Sequence, residues 1–258
     1  MQAFERITEL LARAAREDTA FPPTDLYNEG WMLRLVLDWF DRNRTVEHEL
    51  QFHASASWYS EALLPSAFLA RKRGDKLAES WTHADGVIGH FQIGANGSGD
   101  LSLQDKATQL IVTEAKMFSK LSAGVTNAKY YNQAARNVAC MAEVLHRASS
   151  LPSGLESLRF YVVAPEARID EGVFSDYMGR DSIREIVQQR VSEFEDAEKD
   201  EWLEEWFLPT LATADIRCMS WEELLNVIEH HDPEEATGLR EFYANCLKFN
   251  QFVAQRYS

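Results

Sequence analysis

A glutamate and a lysine stand two positions apart at the end of an apolar stretch, in the segment TQLIVTEAK. If this stretch is a β-strand, Glu114 and Lys116 project from the same face and Ala115 from the other, because the side chains of a strand alternate between its faces. A carboxylate and an ammonium group would then share one site. On composition alone such a triplet is close to a chance event, so its significance depends on what lies beside it.

A second carboxylate is expected next to this pair. Asp85 lies in HADGVIG, at the mouth of the preceding predicted strand, and a meander of strands would return it beside the C-terminal end of the strand that carries Glu114. Phosphodiester hydrolysis needs oxygen ligands for Mg²⁺ and a group that holds or deprotonates the attacking water. Asp85, Glu114 and Lys116 supply these parts. A turn role for Asp85 and a plain surface ion pair for Glu114 and Lys116 remain alternatives.

The pattern of apolar residues predicts the elements that position these groups. Helical spacing indicates helices early in the chain, and a helix is also predicted between two later strands. Short runs of β-branched and aromatic residues indicate strands from Lys76 onward. The predicted elements are an N-terminal helix, helices at 31–40 and about 46–65, strands at 78–82, 86–93 and 108–115, a helix at 127–147, a strand at 158–164, helices at about 181–191 and 195–207, a strand at 216–220 and a closing helix at about 234–254. This order predicts an α/β protein with a mixed central sheet.

The arrangement resembles the PD-(D/E)XK, or restriction-endonuclease-like, nuclease superfamily over residues 46–164. The resemblance implies one domain over residues 1–258, in which a mixed central sheet is flanked by helices, with helical additions at 1–45 and 165–258. It also implies that Asp85, Glu114 and the carbonyl of Ala115 ligate Mg²⁺ or Mn²⁺, and that Lys116 positions or activates the water. DNA is the expected substrate, with RNA left open.

Two further site residues follow from the same resemblance. Many members carry an acidic residue on the first core helix, where Glu61 in WYSEALLPSAF is the candidate ligand of a second metal ion. Some branches place a glutamine on the second core helix against the site, and Gln133 looks similar. The sequence departs from the family at Ala84, where proline is frequent, and at Asn137, where the exonuclease branch has a tyrosine.

Basic residues near this segment are candidates for binding the nucleic-acid backbone. Lys129 and Arg136 are predicted on the second core helix, and Lys120 precedes it. Other ionisable residues have plainer interpretations: Asp100 and Asp105 are expected to face solvent, His83 and His90 to be structural, and His230, His231 and Asp232 to form a helix end.

The overall charge argues in the opposite direction. The 258 residues carry a formal net charge of −15, which disfavours non-specific binding to a phosphate backbone. A catalytically silent nuclease-like domain that works as a binding or scaffold module is therefore the main alternative, and an unrelated α/β enzyme is a third. The three cysteines form no CxxC pair, which favours a cytoplasmic protein. No membrane segment is expected, and a homodimer or a protein partner stays open.

Overall fold

The computed structural model describes residues 2–15, 21–94 and 100–254 of the chain. The strands of these residues are β1 (Ser57–Leu64), β2 (Thr82–Gly89), β3 (Phe91–Ile93), β4 (Leu101–Leu103), β5 (Gln109–Ala115), β6 (Ser157–Ala164) and β7 (Asp215–Ser220). The α-helices are α1 (Gln2–Ala15), α2 (Glu29–Arg42), α3 (Gln133–Arg147), α4 (Glu166–Asp170), α5 (Ser175–Met178), α6 (Arg180–Phe194), α7 (Ala197–Trp202), α8 (Leu208–Thr213), α9 (Trp221–His231) and α10 (Pro233–Ala254).

A five-stranded mixed sheet in the order β1-β2-β5-β6-β7 forms the centre. The first three strands of this order pair antiparallel, whereas β5, β6 and β7 pair parallel. All seven residues of β5 are buried, because the strand lies in the middle of the sheet and is covered on both faces. This explains why β5 reads as a nearly continuous apolar run rather than an alternating one. A separate hairpin of β3 and β4 lies between β2 and β5 in the sequence.

Two apolar clusters cover the two faces of the sheet. On one face, buried residues of α3, α6 and α8 pack against β-strand residues such as Val87 and Val112. On the other face, α2, α9 and α10 pack against residues such as Ile88 and Ile111. At Gly86 a Cβ atom would lie 2.9 Å from a methyl group of Leu37 on α2. The glycine therefore lets α2 approach the sheet closely.

The predicted class, α/β with a mixed central sheet and flanking helices, is confirmed. The helix predicted at 46–65 is wrong, because Ser57–Leu64 pairs with β2 as an edge strand. The helix that covers this part of the sheet is instead α2, which precedes the predicted core. The region 165–258, expected as helical additions, also contributes β7 to the sheet.

Three smaller differences concern element boundaries. Residues 78–81 are not a strand, and β2 begins at Thr82. The helix predicted from 127 begins at Gln133, because Asn132 caps it by accepting a hydrogen bond from Ala135 N at 2.9 Å. The helix predicted at 195–207 is divided, since Leu203–Phe207 forms a π-helical turn between α7 and α8.

No helix of the described residues combines the length and the apolar character that crossing a membrane requires. Cys140, Cys218 and Cys246 are free thiols.

Candidate active site

Asp85 and Glu114 meet where β2 and β5 separate. The last ladder pair toward this end is Gly86 with Thr113, so Asp85 and Glu114 are the next residues opposite each other. The side chain of Asp85 replaces the next ladder partner, because its Oδ2 accepts a hydrogen bond from Ala115 N at 2.8 Å. Residues directly opposite each other in an antiparallel ladder share a face, so both side chains project from the same face of the sheet, and the neighbouring Asp85 carboxylate raises the pKa of Glu114. The predicted meander placed the two carboxylates in the same way.

Lys116 follows β5 directly, and its ammonium group donates a hydrogen bond to Oε1 of Glu114. Its backbone is held on both sides: Lys116 N donates to Val163 O at 2.8 Å, and Trp221 Nε1 donates to Lys116 O at 3.0 Å. Trp221 is fully buried at the start of α9. The ammonium group is therefore carried by a fixed backbone segment.

Two amides on α3 complete the surroundings of Glu114. Gln133 Nε2 donates to Glu114 Oε1, and Asn137 Nδ2 lies 3.4 Å from Glu114 Oε2. Gln133 is itself anchored, since its Oε1 accepts from Ser122 N at 3.0 Å and its backbone N donates to Ser122 O at 2.9 Å. Gln133 was predicted at the site, whereas Asn137 was named only as a departure from the exonuclease branch. The four-residue spacing of the two amides was the signal for Asn137.

The electrostatics of this group are dominated by burial. Glu114 is 1% exposed and Lys116 is 9% exposed. Burial, and next the neighbouring Asp85 carboxylate, raise the pKa of Glu114, while Lys116 acts in the opposite direction. Two carboxylates and one ammonium leave one negative charge in excess. The group is thus a place where additional positive charge would be stabilised.

Glu61 has a different setting from the one predicted. It lies in strand β1 rather than on a helix, and its φ of 59° is in the left-handed region. In the β1–β2 ladder it falls between the pairs Ser60–Gly86 and Ala62–Ala84, across from Asp85. Its carboxylate oxygens lie 3.5 Å from Arg34 Nη2 and 3.9 Å from His83 Nδ1. Its described contacts therefore join it to Arg34 of α2 and His83 of β2, and its role as a metal ligand stays a prediction.

The three candidate phosphate-binding residues follow Lys116 in the sequence, between β5 and the first turn of α3. Lys120 and Lys129 are exposed in the segment between β5 and α3, so Lys129 precedes the helix on which it was predicted. Arg136 is half-buried in the first turns of α3.

The other ionisable residues mostly follow their plainer interpretations. Asp105 is exposed, but Asp100 is fully buried, contrary to the expectation of a solvent-facing residue. His90 bridges Ala54 O and Thr108 N, which is a structural role. His230 and His231 end α9, as predicted.

In the described part of the chain, one group of three histidine and acidic side chains brings its ligand atoms within 4.8 Å of one another, namely His48, Glu49 and Glu223. His48 Nδ1 accepts a hydrogen bond from Leu50 N at 3.1 Å, which leaves the ring proton on Nε2. This nitrogen lies 3.5 Å from Glu49, whose other oxygen is 2.6 Å from Arg217. A protonated ring nitrogen does not ligate a metal, so these residues form a polar cluster separate from Asp85 and Glu114.

Comparison with known proteins adds no relative: no family model matches the chain, and neither a curated protein nor a solved structure is significantly similar to it.

Proposed function

We propose that this protein is a Mg²⁺-dependent nuclease that hydrolyses phosphodiester bonds in DNA, with Mn²⁺ as an alternative cation. One observation supports the proposal above the others: Asp85, Glu114 and Lys116, from two neighbouring strands, bring two carboxylates and one ammonium together on one face of the sheet. The resemblance to the PD-(D/E)XK superfamily rests on this constellation and on the order of strands and helices around it.

The chemistry of the donor set fits a divalent cation. Mg²⁺ and Mn²⁺ prefer oxygen ligands, and Mg²⁺ is commonly bound by one or two protein carboxylates together with water and substrate oxygens. Asp85 and Glu114 would hold the cation, and the carbonyl of Ala115 would be a further ligand. The excess negative charge is what such a cation would neutralise. When bound, the cation supplies a Lewis acid for the phosphoryl group and a more acidic water.

The remaining residues would position the attacking water and the Glu114 carboxylate and would stabilise the charge of the transition state. The Lys116 ammonium would hold the attacking water and stabilise the negative charge that develops on the phosphate in the transition state. Gln133 and Asn137 fix the orientation of the Glu114 carboxylate by donating to both of its oxygens. The burial of Glu114 strengthens each of these interactions, because charges interact more strongly away from bulk water.

The experiment is cleavage of labelled single- and double-stranded DNA and RNA by purified protein with Mg²⁺, Mn²⁺ or EDTA. We expect metal-dependent cleavage by the wild type, none by Lys116→Ala, and unchanged cleavage by Lys72→Ala, an exposed lysine of the loop before β2. Unfolding temperatures measured for each protein check that the variants are folded. Absence of cleavage of every substrate, together with a melting temperature that metal does not raise, would refute the proposal.

The second candidate is a catalytically silent nuclease-like domain that binds a partner or serves as a scaffold. The net charge of −15 favours it, because the summed field repels a phosphate backbone. Under this alternative, Lys116→Ala would retain full function, measured as partner binding.

A further inference from the structure

A cleft next to the candidate active site has the donors of an anion-binding pocket. It has a volume of about 480 Å³ and is lined by residues 78–80, residues 124–127 and Arg136. Its volume is in the range of roughly 300–1,000 Å³ that is usual for small-ligand sites. We call it the Arg136 pocket. Both of its walls are continuous with the active site: residues 78–80 lead into β2, which carries Asp85, and residues 124–127 follow Ser122, which anchors Gln133.

The polar atoms of this pocket are incompletely paired within the described chain. Arg136 Nε is buried and has no hydrogen-bond partner among the described residues. Asn127 donates to Ala78 O at 2.6 Å and so ties the two walls together. Ser80 and Thr126 also line the cleft. An unpaired buried guanidinium nitrogen is costly unless a ligand or water accepts its hydrogen bond.

The shape of the 124–127 wall requires a glycine at its start. A Cβ atom on Gly124 would lie 2.1 Å from Lys129 O, so the chain folds back on itself here with no space for a side chain. Val125 and Ala128 exchange backbone hydrogen bonds of 3.0 and 3.1 Å across the turn. The wall is therefore a tight, internally bonded turn, so it can present its polar groups without rearranging.

The charge balance favours an anion. Glu79 is the one acidic residue in the lining, and Ser66 donates a hydrogen bond to its Oε1. Burial raises the pKa of Glu79, so its neutral form is favoured more than in water. Arg190, which also lowers the pKa of Glu79, is not part of the lining: it is fully buried, its Nη2 donates to Leu77 O, and its guanidinium group stacks on Phe68. Arg136 is thus the one cation of the described lining, alongside a carboxyl group whose ionised form is disfavoured.

We propose that the Arg136 pocket binds a phosphate group of the nucleic acid whose scissile phosphate lies at Asp85 and Glu114, and that Arg136 is the group that binds it. The inference rests on the proposed function. It assigns the pocket a role in holding the strand, while α3 presents Gln133 and Asn137 to Glu114 and Arg136 to the pocket. A guanidinium group matches phosphate oxygens in geometry as well as charge.

The test measures binding in EDTA, so that cleavage does not interfere. Fluorescence anisotropy follows single-stranded oligonucleotides that carry either a 5′-phosphate or a 5′-hydroxyl end, over a series of salt concentrations. Thermal unfolding in sodium phosphate, compared with sodium chloride of equal ionic strength, follows inorganic phosphate. The proteins are the wild type, Arg136→Gln, Arg136→Lys and Arg147→Gln, a control at the exposed end of the same helix whose arginine pairs with Glu143.

We expect Arg136→Gln to weaken oligonucleotide binding about tenfold and to reduce the salt slope by about 0.7, as the loss of one phosphate contact does on a single strand. Arg136→Lys should keep the slope with a smaller loss of affinity, and Arg147→Gln should match the wild type. If the wild type prefers the 5′-phosphate and Arg136→Gln does not, a terminal phosphate occupies the pocket. If neither protein distinguishes the ends, an internal phosphate does.

The inference is overturned if Arg136→Gln binds both probes as the wild type does. It is also overturned if the wild type binds neither probe. Should Arg136→Gln be unfolded, the same criterion applies to Arg136→Lys. The two proposals fail differently. If the wild type binds through Arg136 but cleaves nothing with Mg²⁺ or Mn²⁺, the nuclease proposal is refuted and the pocket proposal stands. Equal cleavage and equal binding by wild type and Arg136→Gln refute the pocket and leave the nuclease.

Discussion

Replacing Glu114 with glutamine should make the metal-free protein more stable at alkaline pH. In the native state Glu114 is 1% exposed and faces Asp85, so its ionised form is disfavoured relative to the unfolded chain. Its pKa is raised from 4.5 to about 7, which corresponds to a penalty on the order of 3 kcal/mol for the ionised group. Glutamine has the same shape without the charge, and its amide oxygen can still accept a hydrogen bond from Lys116.

The sign of the pH dependence follows from the direction of this shift. Because the native pKa lies above the unfolded value, the native state binds the proton more tightly between pH 4.5 and about 7. The contribution of Glu114 to stability is therefore fully present below pH 4.5 and is lost as the pH rises to about 7. Glu114→Gln should lack this loss. The two proteins should unfold alike near pH 4.5, and the variant should be more stable at pH 8, by up to about 3 kcal/mol.

The assay is urea unfolding in EDTA at pH 4.5 and pH 8, repeated at pH 8 with Mg²⁺. Glu143→Gln is the matched control, because Glu143 is also a buried glutamate but is paired with Arg147 and His146. This control should be neutral or destabilised at pH 8. Mg²⁺ should stabilise the wild type and Glu143→Gln but not Glu114→Gln, since a ligand stabilises only the state that binds it. If Glu114→Gln is destabilised at pH 8 as much as Glu143→Gln, Glu114 is a structural ion-pair partner and the reasoning is refuted.

Three further substitutions test other parts of the site. Asp85→Asn should abolish metal-dependent cleavage without lowering the unfolding free energy, because the amide oxygen can still accept from Ala115 N; a large loss of stability in urea would contradict this. Glu61→Gly should be about 1 kcal/mol more stable than Glu61→Ala, which loses the same ion pair but keeps a Cβ at a φ of 59°; equal urea midpoints would show that the backbone here relaxes. Trp221→Phe should cost about 2 kcal/mol by leaving the buried Lys116 carbonyl without its donor, and should lower the cleavage rate; wild-type stability and rate together would exclude a positioning role.

Strands β5, β6 and β7 and the triplet were predictable because they depend on local pattern. A strand places alternate side chains on one face, so the spacing of Glu114 and Lys116 was sufficient to predict their contact. The position of Asp85 followed from a meander of short strands joined by turns. These inferences need only periodicity and the geometry of neighbouring strands.

The errors arose where pairing across the sheet outweighed local preference. SEALL in β1 contains good helix formers, but the segment pairs with β2 at the sheet edge, and Glu61 adopts a left-handed conformation there. The hydrogen bond from Trp221 to Lys116 O was also missed, because it joins residues 105 positions apart and has no local signature. Asp100 was placed in solvent from its polar neighbours, whereas it is fully buried.

The two candidate functions make different predictions for the excess carboxylate. A silent scaffold needs Lys116 to have one buried partner, and a second carboxylate facing the first only raises the energy of the native state. Asp85 accepts a hydrogen bond from Ala115 N. The side-chain amide of an asparagine could accept the same hydrogen bond, so this contact does not require a charge. In the nuclease proposal, a carboxylate that lowers the stability of the metal-free protein is accounted for by the cation that it would bind. Two quantities can therefore be compared: the stability gained when the charge of Glu114 is removed, and the stability that Mg²⁺ adds to the wild type. Large values of both would indicate that the charge serves cation binding rather than folding.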